Sequence, residues 1–295
     1  MQQLRQLGAA QSDYVKGLFW GLLGVLMFSG GIPATRLAVA ELPVLFVGVG
    51  RAGVAGLLSL LLLLACRQAL PARRYWPGLL VVAFGAVFAY PIFSAIAMQH
   101  MAANHGVLVS SVLPLFTAMF GAWLSQQWPR IGFWICALLG TAAVMSYPLL
   151  TGSGQIVWAD AWLFLACFCC GLSYAQGAIL ARQLGSWQVI CWALVLSLPI
   201  LLPLCWYLQP NHYAISAASW LGFSYLAVFS MFLGFFAWYK GLALGGVAAI
   251  SQLQLLTPFL AFGWSALWLG ESSNALQWLL AVVVVFAIAL GRKLA

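Results

Sequence analysis

The sequence predicts an all-α polytopic membrane protein in which ten transmembrane helices form two inverted five-helix repeats. Three observations indicate this fold class: an apolar composition, apolar runs of membrane-spanning length, and an internal repeat. Of the 295 residues, 65% are hydrophobic and 5% are charged, whereas about a quarter of the residues in ordinary soluble domains are charged. The chain therefore lacks the polar surface that a soluble domain needs.

The apolar runs predict ten spans, because about 20 residues of helix cross a hydrocarbon core of roughly 30 Å. Strands of a β-barrel would instead show short segments of alternating polarity. Spans one to ten are predicted at 17–36, 42–65, 77–98, 104–124, 131–149, 159–180, 187–207, 217–239, 246–269 and 274–291. The first sixteen residues are polar, so span one is expected to be retained rather than cleaved as a signal peptide.

The charges of the connecting segments predict the orientation. With the N-terminus inside, ten Lys and Arg residues lie at inner ends and loops, while the opposite connectors, around 99–104, 150–158, 208–216 and 270–273, hold none. The positive-inside rule therefore places both termini in the cytoplasm of a bacterial cell, with the chain in the inner (plasma) membrane. These loops account for the net charge of +8, so the expected partners are the lipid bilayer and a small-molecule substrate, not nucleic acid.

The repeat appears when the chain is aligned with itself at an offset of 144 residues. Trp76 then aligns with Trp220 and Pro114 with Pro258. The alignment of spans three to five with spans eight to ten needs no gap. Five spans is an odd number, so the second half enters the membrane from the opposite side. The predicted parts are a cytoplasmic segment at 1–16, repeats at 17–149 and 159–295, and a periplasmic or extracellular linker at 150–158. Inverted repeats are typical of secondary transporters that bind cargo near the midplane.

The sequence resembles the EamA branch of ten-helix carriers in the drug/metabolite transporter superfamily. In the second half the resemblance rests on Tyr239–Leu244, Pro258 and Leu269-Gly270-Glu271, and in the first half, more loosely, on Gly24–Leu37, Arg51 and Pro114. Ser125-Gln126-Gln127 replaces the L-G-E element in the first half. The resemblance implies a central cavity lined mainly by helices one, three, four, six, eight and nine. It also implies a cargo related to amino acids, because similar proteins export amino acids, aromatic ones among them, and related metabolites.

Polar and aromatic residues on these helices are candidate substrate-binding groups, since aromatic faces with a few hydrogen-bonding groups suit amphipathic small molecules. They are Ser29, Tyr90, Ser94, Ser110, Tyr174, Gln176, Trp238, Tyr239, Gln252 and Gln254. The candidate mechanical residues are Gly30, Gly31, Pro33, Pro114 and Pro258. Because Pro33 removes a backbone hydrogen bond and the glycines let the chain bend, that segment is either a hinge beside the cavity or a packing kink.

Two arginines within the apolar runs need a partner or a wet cavity, because a charge inside a membrane is costly. Arg36 is predicted to form a structural ion pair with Glu41 across the turn. Arg51 has no acid within a helical turn, so it either binds backbone carbonyls or faces a substrate carboxylate. All four acids lie at ends of spans or outside them: Asp13, Glu41, Asp160 and Glu271. Their positions favour neutral, zwitterionic or anionic cargo over cations.

Other chemistries find little support. The cysteine cluster at 167–170 is interpreted as small hydrophobic filling rather than a metal site, because no His or carboxylate lies near it. His100, His105 and His212 are interpreted as interfacial residues rather than a proton relay. No enzymatic activity, cofactor or metal is expected. The sequence thus predicts an exporter of small neutral or zwitterionic metabolites such as amino acids. The alternatives are a multidrug or organic-cation carrier of the same fold and a lipid-modifying membrane enzyme.

Overall fold

The computed structural model describes residues 2–126, 128, 130–146, 158–210 and 214–293. In these ranges the apolar helical segments coincide with the ten predicted spans. The first repeat holds α1 (Gln2–Ser29) and α2 (Gly31–Ala38) in span one, α3 (Val44–Ala65) in span two, α4 (Trp76–Val82) and α5 (Tyr90–His100) in span three, α6 (Ala103–Ser110) and α7 (Leu113–Ser125) in span four, and α8 (Ile131–Met145) in span five.

The second repeat continues the helices in the same order. It holds α9 (Trp158–Leu184) in span six, α10 (Ser186–Tyr207) in span seven, α11 (Ala217–Tyr225) and α12 (Gly234–Gly245) in span eight, α13 (Val247–Ser251) and α14 (Thr257–Leu269) in span nine, and α15 (Ala275–Lys293) in span ten. Within the described ranges, seven helical stretches are long and apolar enough to cross a membrane, and spans nine and ten contain shorter apolar helices. The all-α polytopic membrane fold is confirmed.

The 144-residue offset reappears in the backbone. Two π-helical segments, Ala83–Ala89 and Leu226–Leu233, interrupt spans three and eight at equivalent places. The helices α7 and α14 begin and end in the same register. Each is followed by a residue in the left-handed region, Gln126 with φ 56° and Gly270 with φ 66°. The two halves therefore share irregularities of the backbone as well as a pattern of helices.

Packing between the spans follows the same symmetry. Span one packs along span eight, and the equivalent span six packs along span three. Span two packs on span seven, and span five packs on span ten. Where span one crosses span eight, a Cβ on Gly17 would lie 2.6 Å from the Gly245 nitrogen, and a Cβ on Gly241 would lie 2.7 Å from the Gly21 nitrogen. Small residues let transmembrane helices approach to this distance.

Spans one, four and nine are each interrupted, but not by prolines inside running helices. In span one the break is at Gly30, and Pro33 lies in the first turn of α2, where a backbone N–H would have no intrahelical acceptor. In spans four and nine the breaks come just before α7 and α14, of which Pro114 and Pro258 are the second residues. Each proline therefore lies in the first turn of a new helix.

The break in span one leaves a backbone carbonyl that the second repeat satisfies. Tyr225, at the end of α11, donates its hydroxyl hydrogen to the carbonyl oxygen of Met27 at 3.0 Å. The neighbouring Ser29 hydroxyl donates to the Leu26 carbonyl at 2.8 Å and accepts from the Trp264 indole N–H at 3.0 Å. The bend in span one is thus held from spans eight and nine.

One end of the bundle, which we call the acidic end, contains Glu41, Asp160 and Glu271. The predicted ion pair between Arg36 and Glu41 is wrong, although both residues are described. Arg36 Nη1 donates to the carbonyl oxygens of Met98 at 2.8 Å and Gln99 at 3.3 Å, and Glu41 Oε2 accepts the backbone N–H of Ser216 at 2.6 Å. The physical reason is that α5 ends, and α11 begins, beside these side chains, and helix ends present unpaired carbonyls and N–H groups.

Candidate functional site

A cavity of about 60 Å³ lies at the centre of the bundle, where the interrupted spans meet. It is lined by Phe28, Ser29, Gly31, Ile32, Arg51, Ala86, Tyr90, Pro91, Val107, Ser110, Ser111, Leu113, Pro114, Cys170, Tyr174, Ser230, Met231, Phe235, Gln254, Thr257 and Ala261. The six helices implied by the family resemblance supply every one of these residues except Arg51, which belongs to span two. This volume suits a few water molecules, whereas ligand pockets measure about 300–1,000 Å³. The cavity in this structure is therefore smaller than a typical ligand pocket.

The cavity lies where the two repeats meet symmetrically. Four pairs of lining residues are related by the 144-residue offset: Ala86 with Ser230, Pro91 with Phe235, Ser110 with Gln254, and Leu113 with Thr257. The pseudo-two-fold axis between the repeats therefore passes through the cavity. In three of these pairs the second repeat contributes the side chain with more hydrogen-bonding capacity, and in the fourth it contributes an aromatic ring opposite a proline. The cavity lining is therefore symmetric in backbone but not in side-chain chemistry.

Arg51 is the charged residue of this lining. Its side chain is 3% exposed, and Nη2 donates to the Ser94 hydroxyl at 3.0 Å. The Ser94 hydroxyl donates in turn to the Pro91 carbonyl at 3.3 Å. The Nε atom is buried and has no hydrogen-bond partner among the described residues. The hydrogen bond to Ser94 uses one of the five N–H donors of this guanidinium.

Another part of the lining is aromatic. Phe28 lies 6.1 Å from Tyr174 and 5.2 Å from Phe235 between ring centroids, and Tyr174 lies 5.7 Å from Phe235. Gln254, 6% exposed, has a side-chain oxygen for which the described residues provide no hydrogen-bond partner. The cavity thus combines a cationic group, neutral hydrogen-bonding groups and an apolar aromatic wall, as sites for small amphipathic molecules do.

The comparison with known proteins agrees with this architecture. The EamA-like transporter family matches the chain twice, over residues 15–147 and 157–291. The chain belongs to the EamA-like transporter family. The two matches cover the two helical halves, so this family's two-repeat fold and the predicted membership of the drug/metabolite transporter superfamily are both confirmed.

Relatives of this EamA-like transporter extend over almost its whole length. A Bacillus subtilis (strain 168) protein described as "Uncharacterized transporter YdeK" is 44% identical over 93% of this chain and 96% of its own. A Streptantibioticus cattleyicolor protein described as "Probable terminal-alkyne amino-acid exporter" is 26% identical over 85% of each chain. A crystal structure with 19% identity superposes with a TM-score of 0.67, over 95% of this chain and 97% of that one, and has the same fold.

Six of the predicted binding residues of this EamA-like transporter line the cavity: Ser29, Arg51, Tyr90, Ser110, Tyr174 and Gln254. Two of the predicted mechanical residues, Gly31 and Pro114, also line it, while Gly30, Pro33 and Pro258 are buried next to lining residues. Contact of these side chains with a substrate remains a prediction.

The other candidates lie elsewhere. Ser94 holds Arg51, Trp238 packs behind Tyr174 at 5.5 Å between ring centroids, and Tyr239 donates its hydroxyl hydrogen to the Ser173 carbonyl at 3.4 Å. Gln176 faces a separate groove beside Arg74. The side chain of Gln252 lies outside the described part of the structure.

Several polar lining residues escaped the sequence analysis, namely Ser111, Ser230 and Thr257. Ser111 lies two residues before α7, whose second residue is Pro114, and Thr257 is the first residue of α14, directly before Pro258. A broken helix presents the side chains on both sides of its break to the interior, so closeness to these prolines was the signal that could have found them. Ser230 lies in a π-helical segment, whose altered helical phase the sequence did not predict.

The acidic end closes the bundle above the cavity. Glu271 accepts the backbone N–H groups of Ala103 and Asn104, each at 3.0 Å. His105 Nε2 lies 2.6 Å from Asp160 Oδ1, so His105 contacts a buried acid rather than only the interface. His100 is exposed and its ring lies 4.6 Å from that of Trp158 between centroids, and His212 lies outside the described residues. Among the described residues, no group of three His, Cys, Asp or Glu side chains is placed to hold a metal.

Proposed function

We infer that this EamA-like transporter is a secondary carrier that exports small neutral or zwitterionic metabolites such as amino acids. The central cavity carries this inference, since it lies on the axis between the repeats and combines Arg51 with hydroxyl, amide and aromatic groups. None of the described residues that line it is an acid, which disfavours an organic cation as cargo. The Streptantibioticus cattleyicolor relative, described as an amino-acid exporter, supports the same cargo class.

In this proposal residues 17–149 and 159–295 rock against each other and expose the cavity alternately to the two sides of the membrane. Both termini lie in the cytoplasm of a bacterium, residues 1–16 form a cytoplasmic segment, and 150–158 form the external linker. The acidic end then faces outward. Release of cargo requires the carboxylate of Glu271 to leave the N-terminus of span four, while Gly30, Gly31, Pro33, Pro114 and Pro258 mark the places where the spans bend.

The direct test is transport by the purified full chain in proteoliposomes. We expect saturable counterflow of at least one labelled amino acid when the twenty common ones are examined singly. Ser110→Trp should abolish this flux, because the indole would fill a cavity of about 60 Å³. Ser125→Trp is the matched control in the same span, since Ser125 is exposed at the end of α7, and it should transport like the wild type.

The inference fails if no amino acid shows saturable flux. Saturable uptake of a lipophilic cation such as ethidium, with no amino-acid flux, would instead identify the chain as an organic-cation carrier. Equal inhibition by both tryptophan substitutions would show that flux does not pass through the central cavity.

A further inference from the structure

Arg51 is a buried cation that has no anionic partner in the described part of the chain. All four acids of the chain lie in the described residues: Asp13 pairs with Lys16 at 3.8 Å, and the other three bind partners at the acidic end. No carboxylate lies within 4.0 Å of the Arg51 guanidinium among the described residues. Burying an unpaired charge is unfavourable, so this site is incomplete without an anionic group from outside.

A purely structural role explains little of this arrangement. A guanidinium that stabilises a fold places its planar fork on carbonyl or carboxylate oxygens. Here the neutral hydroxyl of Ser94 takes one bond from Nη2 at 3.0 Å, and the buried Nε has no partner in the described part of the chain. The side chain instead borders the cavity, where a carboxylate could accept hydrogen bonds from the guanidinium.

The other polar residues of the cavity lining are neutral. Gln254 contributes a buried side-chain oxygen that has no partner among the described residues, and Ser110, Ser230 and Thr257 contribute hydroxyl groups. Such acceptors bind an ammonium, a hydroxyl or an amide N–H alike, because none of them carries a charge. The lining therefore discriminates strongly at the anionic end of a ligand and weakly at the other polar end.

We propose that the cavity selects its cargo by an ionised carboxylate bound to Arg51, and that a charged amino group is not required. The cargo class is then small amphipathic monocarboxylates, which includes amino acids and extends to their 2-hydroxy-acid analogues. The apolar part of the cargo packs on Phe28, Tyr174 and Phe235. This proposal rests on the proposed function. It restricts the cargo to molecules with a carboxylate and extends it to molecules without a charged amino group.

The test is a matched series of ligands on the wild-type full chain in detergent or nanodiscs. Phenylalanine, leucine and methionine are each compared with the corresponding 2-hydroxy acid and the corresponding amino-acid amide, by thermal stabilisation and by inhibition of flux. We expect the amino acid that binds and its hydroxy acid to bind within about tenfold of each other, while the amide binds more than about tenfold more weakly, because it cannot form the charged pair. This comparison needs no variant, so a failure of an Arg51 variant to fold does not affect it.

Two substitutions then assign the effect to its residues. Arg51→Lys keeps the charge and loses the planar fork, so carboxylate ligands should bind at least about tenfold more weakly, with the thermal midpoint of the ligand-free protein as the check on folding. Gln254→Leu should weaken the amino acid and the hydroxy acid by similar factors and preserve the preference for both over the amide.

The outcomes separate the two proposals. If the amide binds as well as the amino acid while amino-acid flux is saturable, carboxylate selection is overturned and amino-acid transport stands. If hydroxy acids bind and are transported while amino acids are not, carboxylate selection stands and the amino-acid function is overturned. If no member of the series binds or moves, both are overturned.

Discussion

Glu271, at the end of the second repeat's interrupted span, accepts the backbone N–H of Asn104 in the first repeat at 3.0 Å. Its other carboxylate oxygen accepts the N–H of Ala103 at the same distance. These donors belong to the first turn of span four, which has no intrahelical acceptors, and a carboxylate there is also favoured by the helix dipole. An acid contributed by span nine therefore serves as the N-terminal cap of span four.

We predict that Glu271→Ala lowers the stability of the folded protein by about 1–2 kcal/mol, the usual range for a lost N-terminal cap. Glu271→Gln should have a smaller effect, because the amide oxygen still accepts one of the two N–H groups. The measurement is the thermal midpoint in detergent. Ser272→Ala, which changes the neighbouring exposed side chain, is the control. A midpoint for Glu271→Ala equal to that of the wild type would contradict the capping role.

The second prediction concerns acid stability. The backbone N–H of Ser216 hydrogen-bonds to Glu41 and lowers the pKa of this carboxyl below its usual value of 4.5. A group whose pKa is lower in the folded state stabilises that state above the unfolded pKa, and this contribution is lost as the pH falls through the folded pKa. The difference in thermal midpoint between the wild type and Glu41→Gln should therefore narrow as the pH falls below about 4.5. Asp13→Asn, at the other end of the bundle, should leave this part of the pH profile unchanged.

The third prediction tests the close crossing of spans one and eight. A Cβ on Gly241 would lie 2.7 Å from the backbone nitrogen of Gly21, so Gly241→Ala should destabilise the protein by about 1–3 kcal/mol through overpacking. Gly263→Ala in span nine is the matched control, because its Cβ meets nothing within 4 Å. Yield of monodisperse protein and thermal midpoint are the measurements. If the two variants have the same yield and the same thermal midpoint, spans one and eight can move apart at this crossing without loss of stability.

The fourth prediction uses the symmetry of the backbone. Gln126 and Gly270 are equivalent residues, and both have a left-handed conformation, which costs a side-chain-bearing residue about 1–2 kcal/mol. Gln126→Gly should therefore raise the thermal midpoint, although the greater freedom of glycine in the unfolded chain offsets part of the gain. The reciprocal change, Gly270→Ala, should lower it. Changes of the same sign in both variants would show that the conformation at these two residues is not what limits stability.

The sequence predicted the backbone better than the side-chain contacts. Helix positions depend on apolar runs and on the 144-residue repeat, both of which are periodic signals that can be read locally. The partner of Arg36 depends on where α5 ends in space, which no local pattern encodes, and the ion pair with Glu41 was accordingly wrong. Tyr239 and Gln176 were predicted to lie in the cavity from their chemistry and their helices, but the rotation of each helix about its own axis directs them elsewhere.

Arg51 shows the opposite case. Its cost in a membrane indicated from sequence alone that it needs a partner, and both interpretations, backbone carbonyls or a substrate carboxylate, were open. The bond to Ser94 and the unpaired Nε required the positions of spans two and three, which are far apart in sequence. The sequence could therefore single out Arg51 but could not predict the residues around it.

The unequal pairs around the central axis have a consequence for stereochemistry. A cavity with two identical halves would bind an asymmetric molecule in two opposed orientations of equal free energy. Ser230 opposite Ala86, and Thr257 opposite Leu113, remove this degeneracy. Divergence after duplication thus gave the cavity two chemically different ends. A molecule bound by one end in a chiral site can be distinguished from its mirror image.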